Sequence, residues 1–155
     1  MTEQEIKRLV SEVVDSLSGE MTLNLALKLT DAVKQKADEM GVKAVVAVSN
    51  AAGNPVSVQC MNDAYIASYD IAVNKAYTVA ALKMPTSALK SLAAPGGELY
   101  GIQFTNNGRI VIFGGGVPLC DGDKTIGGLG VSGGSEEQDT LLAEYGERVF
   151  LEELL

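Results

Sequence analysis

Residues 109–134 read RIVIFGGGVPLCDGDKTIGGLGVSGG, a stretch that alternates short apolar runs with glycines. The runs at 109–113, 117–120 and 125–131 are rich in Ile, Val and Leu, which favours β-strands. Between the last two runs, Asp121-Gly122-Asp123 predicts a tight turn. Because strands joined by so short a turn pair antiparallel, the stretch predicts an antiparallel sheet.

Further apolar runs upstream predict the rest of this sheet. Val and Ala dominate residues 44–49, and a second run at 56–60 follows a turn that contains Gly53. Residues 99–104 predict a strand that pairs with 109–113. The predicted fold class is α+β, a single domain with a mostly antiparallel sheet of about five to six strands covered by helices.

Apolar residues spaced three and four apart predict the helices that cover the sheet. Asn62 and Asp63 are placed to cap the longest helix, and Ser135 with Gln138 forms a capping-box sequence before the last one. The predicted helices span residues 1–17, 22–40, 64–83 and 87–92, and 135 to the C-terminus.

Composition places the chain among folded globular proteins. Its 155 residues suit one domain, and 46% of them are hydrophobic. With 12 basic and 20 acidic residues, the net charge of −8 opposes binding to nucleic acid, so no nucleic-acid partner is expected. No apolar run reaches the roughly 18–20 residues needed to span a bilayer, so no membrane partner is expected either.

The absence of histidine removes many catalytic and metal-binding arrangements. It excludes triads with an imidazole base, His-ligated zinc and haem held through His. Cys60 and Cys120 lie far apart with no CxxC spacing, which suits a reduced cytoplasmic protein. The soft ligands available to a metal are Cys60, Met61 and Met84.

Ten of the seventeen glycines fall between Gly108 and Gly134, mainly in Gly114-Gly115-Gly116 and in residues 127–134. Glycines allow a backbone to approach a ligand closely, as in phosphate-binding loops. The chain lacks a GxxxxGKS or GxxxxGKT motif, and its GxG at 128–130 lies in a predicted strand pair. The residues alone favour the alternative that the glycines form bulges and close helix–sheet packing.

Lys75 and Asp139 are the candidate proton-transfer groups. Lys75 lies among apolar and small residues of the long predicted helix, so it either points into a cleft or reaches solvent along the surface. Asp139 lies in the first turn of the last predicted helix, where the helix dipole favours a carboxylate. The spacing of these two groups is not specific enough to name a reaction.

The first seventeen residues predict an amphipathic helix that is separable from the rest of the chain. A short Ser18-Gly19-Glu20 linker follows it and divides the chain into residues 1–20 and 21–155. A helix of this length is marginal alone in water, so it packs either on its own domain or in a partner's groove. Its apolar face consists of Ile6, Leu9, Val10, Val13, Val14 and Leu17.

Five motifs downstream of Val42 form a specific combination. They are MNDA at 61–64, SYDIAVNKA at 68–76, RIVIFGGGVP at 109–118, IGGLGVSGG at 126–134 and EQD at 137–139. In these motifs the chain resembles the GlcG/HbpS-like family, and most closely the C-terminal domain of PduO-type proteins of bacterial microcompartments. The resemblance implies a compact α/β fold, oligomers and, as in several members, haem binding. The adenosyltransferase activity of PduO-type proteins needs a further domain upstream, so we do not expect it here.

The resemblance implies haem as the cofactor, with a corrinoid or a flavin as the alternative. Because the chain has no histidine, Met84 and Cys60 are the candidate ligands of the haem iron. The expected pocket combines the long helix around residues 62–75, residues 84–87 and residues 114–118, so that a flat ligand lies against the glycines. Its ligand-binding residues are Asn62, Asp63, Lys75, Met84, Ser87, Gly114, Gly115, Gly116 and Pro118.

The N-terminal helix is similar to the encapsulation peptides that lead cargo proteins into microcompartments. The implied partner is a shell or cargo protein, and the implied location is the cytoplasm, inside a microcompartment. We therefore expect a homo-oligomeric protein that binds haem or a related tetrapyrrole. The alternatives are an enzyme or sensor of diol or corrinoid metabolism, in which Lys75 and Asp139 transfer protons, and a purely structural oligomer.

Overall fold

The computed structural model describes residues 1–155, apart from the side chains of Asp15 and Ser16. None of the helices in this described part is long and apolar enough to cross a membrane. In chain order the elements are α1 (Glu3–Ser18), α2 (Leu23–Glu39), β1 (Val45–Asn50), β2 (Pro55–Cys60), α3 (Ile66–Leu82), α4 (Thr86–Leu92), two 3-10 turns (Ile102–Phe104 and Asn106–Gly108), β3 (Gly116–Asp121), β4 (Lys124–Ser132), α5 (Glu136–Val149) and a π-helical turn (Phe150–Leu154).

A four-stranded antiparallel sheet forms the centre of the molecule, in the order β2-β1-β4-β3. The predicted α+β class and the antiparallel sheet are confirmed, although the sheet has four strands where five to six were expected. In the middle of the sheet, Ala47 of β1 lies opposite Val58 on one side and Gly130 on the other. The edge strands β2 and β3 contain Pro55 and Pro118, in positions where a missing N–H is tolerated.

The predicted strand pair at 99–104 and 109–113 is wrong, because two 3-10 turns occupy this part of the chain. The two asparagines of the linking turn have φ values of 52° and 57°, which are left-handed and interrupt an extended chain. The segment bonds to helix α3 in place of a neighbouring strand. The Val111 N–H donates to Thr78 Oγ1 at 3.0 Å, and the Tyr77 hydroxyl bonds to Asn106 Oδ1 at 2.8 Å.

Helices cover both faces of the sheet. Helices α2 and α5 pack on one face, and their apolar side chains form the main core with alternate residues of β1 and β4. Helix α3 packs on the other face, where a Cβ at Gly130 would collide with the main chain of Ala72 and Ala76. The close approach of α3 therefore depends on glycine in β4, which confirms the packing alternative for this part of the glycine-rich stretch.

Capping sequences determine where most helices begin. Ser135 and Gln138 form the predicted capping box of α5, in which Ser135 Oγ accepts a hydrogen bond of 3.2 Å. The long helix predicted over residues 64–83 is confirmed as α3, but its predicted cap is wrong, since the helix begins after Tyr65 and neither Asn62 nor Asp63 caps it. Asp63 has a φ of 67°, so the chain turns there before the helix starts.

Helix α1 lies on the outside of the domain. A capping box at Thr2 begins it, and Gly19, with a φ of 61°, ends it. The six apolar side chains of its predicted docking face are between 43% and 78% exposed. Glu12 forms an ion pair of 3.5 Å with Lys28 of α2. The apolar face is therefore not buried in the core of its own domain.

Candidate functional site

A buried ion pair connects α3 to α5. Lys75 is fully buried, and its Nζ lies 3.3 Å from Asp139 Oδ2 and 2.7 Å from the main-chain oxygen of Val131. The centroid of the Phe113 ring lies 5.1 Å from the same Nζ, within the range of a cation–π contact. The surface position, one of the two predicted for Lys75, is therefore wrong.

The carboxylate of Asp139 is held by main-chain donors as well as by the lysine. The N–H of Gly134 donates to Oδ1 at 2.8 Å, and the N–H of Gly133 donates to Oδ2 at 3.4 Å. Burial raises the pKa of Asp139, against the opposite effects of Lys75 and of these N–H groups. Burial also lowers the pKa of Lys75, against the attraction of Asp139. Such shifts occur at functional sites and in structural ion pairs alike.

The three consecutive glycines at 114–116 pack around this pair. All three are buried, and the N–H of Gly116 donates to Thr86 Oγ1 at 2.9 Å. Gly115 has a φ of 117°, and a Cβ at this position would lie 2.5 Å from Lys75 Nζ. Neighbouring side chains fill the space beside these glycines, so they do not form the open surface for a flat ligand that was expected.

A cavity of about 250 Å³ lies beside the ion pair, and we call it the α3–α5 cavity. Its polar wall contains Asp139 and two serine hydroxyls, and Ser132 Oγ donates to Ser68 Oγ at 3.1 Å. The apolar wall includes the partly exposed ring of Phe113. The lining residues are Tyr65, Ala67, Ser68, Ile71, Phe113, Ser132, Gly133, Gly134, Glu136 and Asp139.

A wider cleft of about 520 Å³ lies between α2 and the end of β2, and we call it the α2–β2 cleft. Cys60 is exposed in this cleft, whereas the sulfur of Met61 accepts the N–H of Ala44 at 3.4 Å. Two of its lysines pair with aspartates of α2, at 3.1 Å for Lys34 with Asp31 and 3.7 Å for Lys43 with Asp38. The lining residues are Asp31, Lys34, Gln35, Asp38, Lys43, Gln59, Cys60, Met61 and Asn62.

The nine predicted ligand-binding residues do not form one pocket. Asn62 lines the α2–β2 cleft, whereas Lys75 is enclosed beside the α3–α5 cavity. Met84 is half-buried and Ser87 is exposed, and neither lines the cleft or the cavity. Asp63 and Pro118 are also outside both sites.

The two candidate iron ligands lie in different places. Cys60 faces the α2–β2 cleft, and Met84 follows the C-terminal end of α3. Within the described residues, no three His, Cys, Asp or Glu side chains come together as a metal site.

Several residues of these sites were not predicted. Ser68 was missed although Ser68, Ala72 and Ala76 recur every fourth residue, a spacing that places small side chains on one helix face. Ser132 lies at the end of β4, and its contact with Ser68 depends on how α3 crosses the sheet. Lys34 and Lys43 line the same cleft only because α2 packs beside β2, and no local pattern signals this.

Comparison with known proteins finds similar sequences and folds. The family model described as haem degrading protein HbpS-like matches residues 21–147. The chain is 48% identical over 124 residues to an uncharacterized 15.0 kDa protein encoded in the dhaT-dhaS intergenic region of Citrobacter freundii. This match covers 80% of this chain and 87% of that protein.

Two further similarities involve PduO. The chain is 36% identical over 142 residues to the corrinoid adenosyltransferase PduO of Citrobacter freundii. This match covers 89% of the chain and 42% of PduO, so the chain spans less than half of that relative. A crystal structure of a PduOC:heme complex superposes with a TM-score of 0.80 at 36% identity, covering 83% of this chain and 93% of that one.

Proposed function

The chain belongs to the HbpS-like family of haem-degrading proteins, and from this membership we propose that it binds haem in the α2–β2 cleft. The observation that carries the choice of site is the exposed thiol of Cys60 in a cleft of about 520 Å³. This volume is typical of ligand sites, and a cysteine thiolate is a known axial ligand of haem iron. A bound haem would supply an iron centre for redox chemistry.

Basic side chains in the cleft suit the propionates of haem. Lys34 and Lys43 line the cleft, and their side chains are 30% and 50% exposed. A propionate would replace Asp31 or Asp38 as the partner of one lysine. Because ion pairs with this much exposure contribute little to stability, such an exchange costs little free energy.

The other candidate positions suit haem less well. Met84 lines neither the α2–β2 cleft nor the α3–α5 cavity, so its thioether does not face either site. The α3–α5 cavity has about half the volume of the cleft, and the Lys75 ammonium beside it is enclosed by protein. Cys60 is therefore the candidate axial ligand in this proposal.

The test is a titration of the full chain with hemin, followed by the Soret absorbance, with cobalamin and riboflavin titrated in parallel. We expect saturable binding of hemin and at least a tenfold loss of affinity, about 1.4 kcal/mol, in Cys60→Ala. Cys120→Ala is the matched control, because Cys120 lies on β3 and does not line the cleft. Absence of saturable hemin binding, or equal affinity in Cys60→Ala, would overturn this proposal.

We propose in addition that α1 docks into an apolar groove of a shell or cargo protein of a bacterial microcompartment. The apolar face of α1 supports this, since its side chains remain 43% to 78% exposed while the helix is capped at both ends. Amphipathic helices bind partners by laying such a face into a groove. In this proposal the protein acts in the cytoplasm, inside the microcompartment, and residues 1–20 are separable from the domain at 21–155.

This second proposal is tested by fusing residues 1–20 to a fluorescent reporter in cells that assemble microcompartment shells. We expect the fused reporter to concentrate in foci with the shells. Val10→Asp places a charge on the apolar face and should leave the reporter diffuse. Ser11→Asp adds the same charge at an exposed position outside the apolar face and should leave the foci intact. A diffuse reporter in the unmodified fusion would contradict the proposal.

A further inference from the structure

We propose that the α3–α5 cavity binds a small neutral molecule through a hydroxyl group. The cavity shares no lining residue with the α2–β2 cleft, so this proposal does not depend on haem binding. Buried polar side chains converge on an otherwise apolar wall, an arrangement typical of small-molecule sites.

The three buried polar side chains of the cavity, Ser68, Ser132 and Asp139, together offer one donor and one acceptor. Asp139 accepts from Lys75, Gly133 and Gly134, which uses three of the roughly four acceptor positions of a carboxylate. Ser132 donates its hydroxyl proton to Ser68, which leaves the hydroxyl proton of Ser68 available. A ligand hydroxyl matches this pair, because it donates to the carboxylate and accepts from the serine.

The charges of the cavity favour a neutral ligand over an ionic one. Asp139 and Glu136 both line the cavity, so a carboxylate ligand would lie beside two other carboxylate groups, while the Lys75 ammonium is enclosed by protein. Lys75 already neutralises Asp139, and Lys90 pairs with Glu136 at 2.5 Å. An ammonium ligand would therefore meet carboxylates that already have cationic partners, and it would gain little from them.

The size and the apolar wall limit the rest of the ligand. A volume of about 250 Å³ corresponds to about eight water molecules at ~30 Å³ each, so the cavity admits a molecule of similar heavy-atom count. Ile71 and Phe113 supply apolar contact for its carbon atoms. Compounds with two to four carbons and one or more hydroxyl groups fit these limits.

The experiment compares three probes of similar size by saturation-transfer NMR on the full chain: glycerol, glycolate and ethanolamine. They are neutral, anionic and cationic respectively, and each carries a hydroxyl. We expect saturable transfer to the glycerol protons and at least about tenfold weaker binding of the two ions. In Ser68→Ala, the loss of one hydrogen bond should weaken glycerol binding about fivefold.

Ser57→Ala is the matched control for Ser68→Ala. Ser57 is also buried, and its hydroxyl lies 3.4 Å from Thr30 Oγ1 on the opposite side of the sheet from α3. This variant should bind glycerol as the unmodified chain does. Equal or tighter binding of glycolate or ethanolamine, no saturation by glycerol up to about 100 mM, or an unchanged affinity in Ser68→Ala would each overturn the proposal.

Discussion

The ammonium group of Lys75 lies 3.3 Å from the carboxylate of Asp139, 64 positions further along the chain, and the two side chains are 0% and 6% exposed. This contact joins the helix on one face of the sheet to the start of the last helix. Removing water from two charges is costly, and the cost is offset only while both partners are present. The pair therefore ties the orientation of α3 to that of α5.

Loss of one partner should destabilise the fold more than replacement of both. Lys75→Met or Asp139→Asn leaves one buried charge or dipole without its partner and should lower the free energy of unfolding by about 3 kcal/mol. The double variant should cost less than the sum of the two. Urea unfolding of all three measures this coupling, and Lys7→Met, at an exposed pair with Glu3, serves as the control that should leave the midpoint unchanged. Additive single effects would show that the two groups do not interact.

Stability should rise with pH in the alkaline range because of Lys75. Burial lowers the pKa of Lys75 below its ordinary value of 10.5, so the folded chain releases this proton before the unfolded chain does. Between the two pKa values the unfolded state binds more protons, and the free energy of unfolding therefore increases with pH. The gain is complete once the pH exceeds 10.5.

Urea unfolding at pH 7, 8, 9 and 10 measures this dependence against the Lys75→Met/Asp139→Asn double variant, which lacks both groups. The difference in unfolding free energy between the unmodified chain and the double variant should increase with pH. A difference that falls over this range would mean that the attraction of Asp139 outweighs burial.

Gly130→Ala should separate α3 from the sheet. A Cβ at this position would lie 2.7 Å from the amide nitrogen of Ala76 and 2.9 Å from the Cβ of Lys75, so the helix must move. Overpacking of this kind costs about 3 kcal/mol. Gly122→Ala is the control, since Gly122 has a φ of 58° and open space around it, and strain alone costs about 1 kcal/mol there. If urea unfolding showed the same loss of unfolding free energy in Gly130→Ala and Gly122→Ala, the close packing of α3 on Gly130 would not be important for stability.

Thr78→Val should loosen residues 99–113. The Thr78 hydroxyl accepts the N–H of Val111 and lies 3.2 Å from the main-chain oxygen of Arg109, so its removal leaves two half-buried main-chain groups without this partner, at about 1 kcal/mol. Amide hydrogen exchange of this segment should accelerate in Thr78→Val. Thr30→Val is the control, because the Thr30 hydroxyl bonds to Ala26 of its own helix and lies near Ser57 of β2, and neither residue belongs to 99–113. Unchanged exchange would show that other contacts hold the segment.

Local signals were enough to predict most of the fold. The two hairpins β1–β2 and β3–β4 follow from apolar runs around turns that contain Gly53 and Gly122, and the α5 start follows from its capping box. The segment at 99–113 has equally apolar runs, yet its main-chain groups bond to α3. The conformation of this segment therefore depends on a side chain more than twenty positions away in the sequence, and no local pattern predicts that contact.

The candidate sites depend more strongly on tertiary contacts. The apolar neighbours of Lys75 in the sequence make it a candidate functional residue. Its burial and its pairing with Asp139, however, depend on how α3 and α5 pack on opposite faces of the sheet. The glycines at 114–116 suggested an open ligand surface because glycine leaves room. In the folded chain, Lys75, Thr86 and neighbouring side chains occupy that room.

The prolines of the edge strands restrict how copies of this chain can associate. Pro55 and Pro118 lie in β2 and β3, the two outer strands of the sheet. Neither can donate a main-chain hydrogen bond to an added strand, so growth of the sheet from molecule to molecule is disfavoured at both ends. We therefore expect the homo-oligomer predicted from the sequence to assemble through helices and loops, and fibre-like stacking of sheets to be disfavoured.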